Sequence, residues 1–325
     1  MRVKRDVFPD AVAGLSADES CTSMGLHSPF YLVFTDLDGT LLDHDTYGWG
    51  AAIPALDQCR EKGVPVILVS SKTRVEMDIL RRRLALSAPF ISENGGGIFF
   101  PIETFPDPPP GAFLAGDLTV SARSPAVSEG GRGAGLWEIS LGVPYARLVQ
   151  ALEDIRQELN WDIKGFANMG FEEISHLTGL DKREAQWAAM REYDEPFIIQ
   201  GEEPGDLAPL YRAAEKRGLR ITSGGRFHHL QGKNDKAKGM ELLTAWYRVR
   251  HKDVMAIALG DSPNDFAMLD RADIPVLIRS RRTFPDLKRR IPSLRISDQF
   301  GPAGWNSVVL CILSQNGEGV HEQRL

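Results

Sequence analysis

At 325 residues and 36.0 kDa, the chain is longer than most single domains, so we expect two domains. Hydrophobic residues make up 42% and charged residues 25%, which is ordinary for a folded globular protein and too apolar for a disordered one. The formal net charge of −6 argues against gripping a polyanion through bulk positive charge, so an anionic substrate must be met by a local cluster of positive groups.

The ends of the chain and its cysteines indicate the class of compartment. Residues 1–28 have a basic start but lack the apolar run of a signal peptide, and we expect them, like residues 315–325, to form a flexible tail. No stretch approaches the roughly 18 to 20 apolar residues that span a membrane. Cys21, Cys59 and Cys311 are too scattered for a disulfide framework, which favours a reduced, cytoplasmic compartment.

Apolar stretches alternate with helical patterns through the first third of the chain. In order, the sequence predicts a strand over 31–35, a helix over 52–62, a strand over 64–69, an amphipathic helix over 73–85 and a short strand over 89–91. Near-continuous apolar strands that alternate with helices indicate a parallel sheet covered on both faces. Because right-handed crossovers place the carboxyl ends of the strands on one edge, the polar residues there are the first candidates for chemistry.

This alternation stops near residue 101 and returns after residue 232. Between these points the sequence predicts helices over 145–159 and 181–192, extended or loop segments over 170–177 and 195–201, and a hairpin over 219–230. Beyond them it predicts a helix over 235–250, a strand over 254–259 and further elements over 266–271, 275–278 and 302–313. The expected fold class is therefore α/β, with a Rossmann-like parallel-sheet core (29–100 and 232–314) and an inserted α+β cap domain (101–231).

Two aspartates follow the first strand. Asp36 and Asp38 are two residues apart, so in an extended chain their side chains share a face, and Gly39 allows a sharp turn behind them. Two carboxylates this close repel each other and favour a divalent cation or a shared proton. An Asx-rich turn without chemistry is the alternative interpretation of this segment.

A second acidic pair, Asp261 and Asp265, follows the apolar strand over 254–259. Pro263 suits the first position of a helix, and a capping turn accounts for Ser262 or Asp265 but not for two acids at the end of a central strand. Acids from both stretches, gathered on one sheet edge, would be costly without a cation. Oxygen ligands without nearby His or Cys favour Mg²⁺ over zinc.

Hydroxyl groups mark a candidate phosphate site at the end of another core strand. Ser70 and Ser71 end that strand and are followed by Lys72 and Thr73. Hydroxyls together with the amides of a helix N-terminus suit a phosphate oxygen. The alternative is a plain helix start capped by Thr73.

A lysine begins the helix that re-enters the core. Lys236 at a helix N-terminus is unfavourable to the helix dipole, which indicates a nearby anion. A solvated lysine is the alternative, and Lys233 and Lys238 lie close enough in sequence to take the same role.

Four segments, in this order, resemble the motifs of the haloacid dehalogenase-like phosphatases. They are Asp36 to Thr40, Ser70, Lys236 and Gly260 to Asp265. The cap lies between the second and third motifs, as in the branch of that superfamily that acts on sugar phosphates and similar metabolites. Within that branch, residues 69–74, 92–96, 178–180, 191–197 and 224–230 are similar to the mannosyl-3-phosphoglycerate phosphatase family.

The resemblance implies a Mg²⁺-dependent phosphomonoesterase that converts mannosyl-3-phosphoglycerate into mannosylglycerate and phosphate. Asp36 would attack phosphorus and form an aspartyl-phosphate, and Asp38 would act as general acid and then as general base. The implied metal-binding residues are Asp36, Asp38 through its backbone carbonyl, Asp261 and Asp265. Asp265 would lie behind the direct ligands, where it would orient water or the metal or hold the loop in place. The implied phosphate-binding residues are Ser70, Lys236 and Asn264.

The resemblance also implies that the cap recognises a leaving group with a carboxylate and a sugar. The expected substrate-binding residues are Ser71, Lys72, Asn94, Arg191, Glu192, Tyr193, Asp194, Arg226, His228 and His229. Arg226 and the two histidines would meet the carboxylate, and residues 191–194 would contact sugar hydroxyls. Solvated charges at a helix end and surface histidines on a hairpin are the alternative.

Other functions stay open at this point. The nearest is the same reaction on glucosyl-3-phosphoglycerate or another sugar phosphate. A phosphomutase would need the phosphorylated aspartate to survive for retransfer, and a non-catalytic phosphate-sensing module would need no acid two residues after the nucleophile. The expected partner is a small phosphorylated sugar-glycerate, with neither nucleic acid nor membrane.

Overall fold

A computed structural model describes residues 29–116, 135–201, 204–224 and 227–315 of the chain. The predicted tail 1–28, all but the first residue of the predicted tail 315–325, and Arg226 lie outside the described residues. In chain order, the strands are β1 (Phe30–Thr35), β2 (Val66–Leu68), β3 (Phe90–Ser92), β4 (Gly97–Pro101), β5 (Phe113–Leu114), β6 (Leu136–Ser140), β7 (Ile163–Gly165), β8 (Asp194–Ile199), β9 (Arg220–Gly224), β10 (Phe227–Gln231), β11 (Val254–Gly260), β12 (Ile274–Arg279) and β13 (Arg295–Phe300). The helices are α1 (Ile53–Glu61), α2 (Arg74–Arg83), α3 (Tyr145–Leu159), α4 (Phe171–Thr178), α5 (Lys182–Ala188), α6 (Ala208–Lys216), α7 (Lys236–Arg248), α8 (Phe266–Arg271), α9 (Pro285–Arg290) and α10 (Gly301–Ser314).

A parallel sheet in the order β13-β12-β11-β1-β2 forms the centre of the described structure. Alternate residues of β1 enter different hydrophobic clusters, because successive side chains of a strand point to opposite faces. Val33 packs with α1 and α10, whereas Phe34 packs with α7 and α8. The sheet is therefore covered on both faces, and the predicted α/β fold class is confirmed.

Two antiparallel sheets accompany the central one. The first, β3-β4-β6-β5, joins the central sheet through the parallel bridge between Val69 and Ile91. Its strand β6 lies in the range predicted as cap but pairs with β4, which begins in the range predicted as core. The second, β7-β8-β10-β9, packs one face against α3 and α6. Its other face carries Ile198 and Phe227, which pack near α4 and α5.

The structure corrects two sequence predictions in this region. Residues 171–178 form α4 rather than an extended or loop segment, with Ile174 buried and Gly179 ending the helix in a left-handed conformation (φ 80°). Eight residues give too few turns for the helical period to stand out from the sequence. The helix predicted over 181–192 ends at Ala188, and the polar residues that follow leave the helix for contacts described below.

Candidate active site

Neighbouring strands bring the two acidic stretches together. Asp36 follows β1 and Asp261 follows β11, and the Asp36 amide donates a hydrogen bond to the Leu259 carbonyl at 2.9 Å. Gly39 has a left-handed φ of 79°, and a Cβ there would lie 2.7 Å from Asp261 Oδ2, so a side chain would obstruct this approach. Carboxylate oxygens of Asp36, Asp261 and Asp265 lie within 4.8 Å of one another.

Lys236 lies among these acids. Its side chain is 2% exposed, and Nζ lies 2.5 Å from Asp36 Oδ1 and 2.7 Å from Asp265 Oδ1. Lys233 and Lys238 are exposed, so of the three candidate lysines it is Lys236 that faces the carboxylates. When all are ionised, three carboxylates and one ammonium leave two negative charges uncompensated in a largely buried place.

Burial and mutual repulsion shape the acid–base properties of this group. Burial, followed by the carboxylate of Asp265, raises the pKa of Asp36, while the Lys236 ammonium opposes the shift. Burial and then Asp265 also raise the pKa of Asp261 to about 6. Although burial alone lowers the pKa of Lys236, the attraction of Asp265 and Asp36 outweighs it and raises that pKa overall. Ionised carboxylates at this edge would therefore be stabilised by a further cation.

Asp265 holds the loop that carries Asp261. Its Oδ2 accepts hydrogen bonds from the amides of Asp261 and Ser262, both at 3.1 Å, and from Ser262 Oγ at 3.0 Å. The capping turn at Ser262 is present as well, so the same carboxylate caps a helical turn and contacts Lys236. Asp265 is fully buried, and both of its oxygens have partners within the protein.

Asp38 lies beside Lys72. Asp38 Oδ2 is 3.2 Å from Lys72 Nζ, and Lys72 Nζ also lies 5.5 Å from the centre of the Tyr47 ring. Burial lowers the pKa of Lys72, but the charges of Asp38 and Glu76 and the hydrogen bond to Asp38 together outweigh burial, and the net shift is upward. The other oxygen of Asp38, Oδ1, is buried and accepts no hydrogen bond from the part of the chain that the structure describes.

Hydrogen bonds join Ser70, Lys72, Asn94 and Asn264 at the carboxyl end of β2 and on the loops beside it. Ser70 is 2% exposed, and its Oγ accepts a hydrogen bond from the Lys72 amide at 3.2 Å. The Asn94 amide donates to the Ser70 carbonyl at 2.9 Å, and Asn94 Oδ1 accepts from Asn264 Nδ2 at 2.8 Å. Ser71 follows Ser70 and is partly exposed. Thr73 caps α2 through a reciprocal bond with Glu76, as its sequence position predicts.

Residues 191–194 make more contacts within the protein than the sequence suggests. The Arg191 guanidinium donates to the Ser71 carbonyl at 2.8 Å and pairs with Asp194 at 3.4 Å. The Glu192 carboxylate pairs with Arg74 at 3.0 Å, and the Tyr193 hydroxyl donates to Glu138. The side chains of Glu192 and Tyr193 therefore pair with Arg74 and Glu138, whereas the side chains of Arg191 and Asp194 pair with each other.

The two adjacent histidines of β10 lie on opposite faces of their sheet. His229 Nδ1 is 2.8 Å from Asp194 Oδ2, with Asp194 fully buried. His228 hydrogen-bonds to Ser223 Oγ at 2.7 Å and stacks on Phe197 at 5.3 Å between ring centres, on the face that packs against α3 and α6. A single ligand in front of one sheet face can therefore meet only one of them.

Glu93 is a buried carboxylate that the sequence reasoning passed over, although it lies in the segment 92–96 that carries part of the family resemblance. It is fully buried and accepts hydrogen bonds from the amides of Glu192 and Tyr193. A carboxylate directly after the buried strand β3 is the sequence signal that could have singled it out, since buried acids are rare without a partner.

The chain is similar to known proteins over most of its length. A family model described as haloacid dehalogenase-like hydrolase matches residues 33–104 and 217–281. A protein of Methanococcoides burtonii named glucosyl-3-phosphoglycerate/mannosyl-3-phosphoglycerate phosphatase is 38% identical over 286 residues, covering 88% of this chain and 98% of that protein. A protein of the same name from Persephonella marina is 35% identical over 295 residues, covering 89% of this chain and 99% of that protein.

The fold is shared with solved structures as well. A Thermoplasma acidophilum protein superposes with a TM-score of 0.58 at 19% identity, covering 87% of this chain and 98% of that one. Within the described ranges, no helix is both long and apolar enough to cross a membrane. Given near-complete coverage at more than 30% identity, the chain belongs to the haloacid dehalogenase-like hydrolases, in the family of the glucosyl- and mannosyl-3-phosphoglycerate phosphatases, and it is a phosphatase.

Proposed function

We propose that this phosphatase is a Mg²⁺-dependent phosphomonoesterase that acts on mannosyl-3-phosphoglycerate and on its glucosyl counterpart, with Asp36 as the nucleophile. The observation that carries the proposal is the buried group of Asp36, Asp261, Asp265 and Lys236 at the carboxyl edge of the parallel sheet. Both relatives described above bear a name that joins the two substrates, which favours dual specificity over the mannosyl form alone.

The donor set at the sheet edge fits Mg²⁺. Three carboxylates offer oxygens within 4.8 Å of one another, and their excess negative charge matches a divalent cation that prefers oxygen ligands. We assign direct binding to Asp36, Asp261 and the Asp38 backbone carbonyl, and loop support to Asp265, whose oxygens already have partners. When bound, Mg²⁺ would offset the repulsion between the nucleophile and the phosphate and the charge that develops during transfer.

The side chains of the chain itself would carry the two chemical steps. In the first, a carboxylate oxygen of Asp36 forms a bond to phosphorus as the ester P–O bond breaks, and Asp38 donates its proton to the leaving oxygen. In the second, Asp38 removes a proton from water, whose oxygen attacks the aspartyl-phosphate and releases phosphate and Asp36. Ser70, Asn264 and Lys236 would bind the phosphate oxygens that do not react.

The surroundings of Asp38 support its role as acid and base. One of its oxygens pairs with Lys72 at 3.2 Å, which fixes the orientation of the carboxyl group. The other is buried and has no hydrogen-bond partner among the described residues. The Asp38 side chain as a whole is 39% exposed, so its carboxyl group can exchange a proton with a leaving group and then with water.

We further propose that an inserted cap recognises the sugar-glycerate leaving group. The pairing of β6 with β4 favours a cap that starts after residue 140 rather than at residue 101. Arg191, Asp194 and His229 support this assignment, because they form one polar group and Arg191 contacts the loop that follows Ser70. Closure of the cap over the sheet edge would exclude water before attack.

Removal of divalent cations tests the metal assignment. We expect EDTA to abolish hydrolysis of p-nitrophenyl phosphate and added Mg²⁺ to restore it. Because Asp261→Asn removes one of three carboxylates, the Mg²⁺ concentration for half-maximal activity should rise at least about tenfold. Mg²⁺ should also raise the melting temperature of the native protein more than that of the variant. Asp57→Asn, on the exposed side of α1, is the matched control, and equal Mg²⁺ responses in both variants would contradict the assignment.

A panel of phosphate esters tests the substrate assignment. We expect kcat/KM for the mannosyl and glucosyl substrates to agree within about tenfold and to exceed that for simple hexose phosphates by roughly 100-fold, because a site built for a sugar joined to a carboxylate rejects esters that lack the carboxylate. Preference for an unrelated phosphate would remove the assignment. Isomerisation stimulated by a bisphosphate would indicate a phosphomutase, and binding without any phosphate release would indicate a phosphate-sensing module.

A further inference from the structure

Glu93 joins the phosphate-site loops to the segment that precedes β8. Its side chain is fully buried, although it belongs to a turn between β3 and β4. Its Oε1 accepts the Glu192 amide at 3.0 Å, and its Oε2 accepts the Tyr193 amide at 2.8 Å. The partners are 99 and 100 residues away in sequence, so this carboxylate is a tertiary link rather than a local turn contact.

The turn that carries Glu93 is itself tied to the phosphate site. The Glu93 amide donates to the Lys72 carbonyl at 3.1 Å, and the next amide, that of Asn94, donates to the Ser70 carbonyl at 2.9 Å. Both turn residues have left-handed backbones, with φ of 45° for Glu93 and 55° for Asn94. Such conformations are costly for residues other than glycine and persist where the surroundings impose them. The turn is therefore held in one position relative to Ser70.

The segment on the other side of the link carries the polar group of the cap. Arg191 immediately precedes the two amides that Glu93 binds, and Asp194 immediately follows them. Asp194 in turn contacts Arg191 and His229. A shift of the 192–193 backbone would therefore move the whole Arg191, Asp194 and His229 group relative to Ser70 and Ser71.

Keeping a carboxylate at this position is energetically unfavourable in itself. Burial raises the pKa of Glu93 to about 8, and the positive charge of Arg191 opposes the shift. A buried acid is tolerated when the groups that it binds need two strong acceptors, as two adjacent backbone amides do. Filling space alone would be served as well by an apolar side chain.

We infer that Glu93 is a positioning residue. Through the amides of Glu192 and Tyr193 it sets the distance between the group of Arg191, Asp194 and His229 and the loop that carries Ser70 and Ser71. This distance in turn sets the preference for esters whose leaving group reaches the cap. The substrate in this inference rests on the proposed function, whereas the hydrogen bonds from the Glu192 and Tyr193 amides to Glu93 do not depend on it. As a positioning residue, Glu93 does not contact the reacting atoms.

Glu93→Ala and Glu93→Gln test the inference with two kinds of substrate. For Glu93→Ala we expect kcat/KM on the sugar phosphoglycerates to fall about 10- to 100-fold, mainly through KM, because the buried hydrogen bonds to two backbone amides are lost. On p-nitrophenyl phosphate, whose leaving group has neither sugar nor carboxylate, the loss should stay within about threefold. Glu93→Gln keeps one acceptor and should fall between the native protein and Glu93→Ala. Glu172→Ala, an exposed acid on α4, is the control and should match the native protein.

Hydrogen exchange provides a readout that does not depend on the substrate. The amides of Glu192 and Tyr193 should exchange faster in Glu93→Ala than in the native protein, with little change in the central sheet. Unchanged exchange at these amides, or equal losses on both kinds of substrate, would overturn the inference. If the native protein cleaves p-nitrophenyl phosphate but no sugar phosphoglycerate, the proposed substrate fails while the exchange result still decides the role of Glu93. If Glu93→Ala does not fold, the same comparisons are made with Glu93→Gln.

Discussion

Replacing Asp36 with asparagine is expected to lower kcat for phosphate release at least about 1,000-fold while the fold is kept, because an amide oxygen is a far weaker nucleophile than a carboxylate. The side chain is 10% exposed, and burial together with Asp265 raises its pKa. An amide of the same shape removes the repulsion between Asp36 and Asp265, so the substitution should not destabilise the fold. Lys236 would still pair with Asp265 at 2.7 Å.

Two measurements separate a nucleophile from a residue that only supports the site. Rapid acid quenching with labelled substrate should trap phosphate on the native protein and none on Asp36→Asn. Circular dichroism and the melting temperature should match the native protein, which excludes unfolding as the cause. Asp57→Asn serves as the matched control, because its carboxylate pairs with Arg60 on the exposed side of α1. Phosphate release at the native rate by Asp36→Asn would remove the proposed mechanism.

The central sheet and the acidic edge could be predicted because both depend on short-range patterns. Apolar strands of six and seven residues precede Asp36 and Asp261, and a parallel sheet places the carboxyl ends of its strands on one edge. That β1 and β11 are direct neighbours in the sheet is a long-range pairing that only the structure shows. Lys236 could not be separated from Lys233 and Lys238 in this way. Only the path of α7, which starts over the sheet edge, decides which of these side chains is buried.

The contacts of the cap depend on residues that are distant in sequence, so sequence patterns do not reveal them. Glu192 and Tyr193 stay predicted sugar contacts, and within the protein their side chains pair with Arg74 and Glu138, 118 and 55 residues away. Strand alternation did contain one usable signal, since adjacent histidines cannot share a face of β10. Applied to His228 and His229, it places them on opposite faces in advance, so a ligand in front of one face would meet only one of them.

Replacing Lys236 with methionine is expected to cost both stability and activity, with a dependence on Mg²⁺ that identifies the cause. Lys236 is 2% exposed and lies within 2.7 Å of both Asp36 and Asp265. Its removal leaves two buried carboxylates without their positive partner, and breaking a buried ion pair in this way costs about 3–5 kcal/mol. Urea unfolding in EDTA should show a loss of this size in the free energy of unfolding.

Under the proposed metal assignment, Mg²⁺ should recover part of this stability, because a divalent cation would supply positive charge to the same carboxylates in the folded state. The gain in unfolding free energy on adding Mg²⁺ should therefore be larger for Lys236→Met than for the native protein. Activity should stay at least about 100-fold below native even with saturating Mg²⁺, since the ammonium that would bind the phosphate is missing. Lys238→Met, on the exposed side of the same helix, should behave as the native protein in both measurements. If Lys236→Met were as stable as Lys238→Met in EDTA, the carboxylates would have to be neutral in the folded protein, and a cation would no longer be needed to explain the charge at this edge.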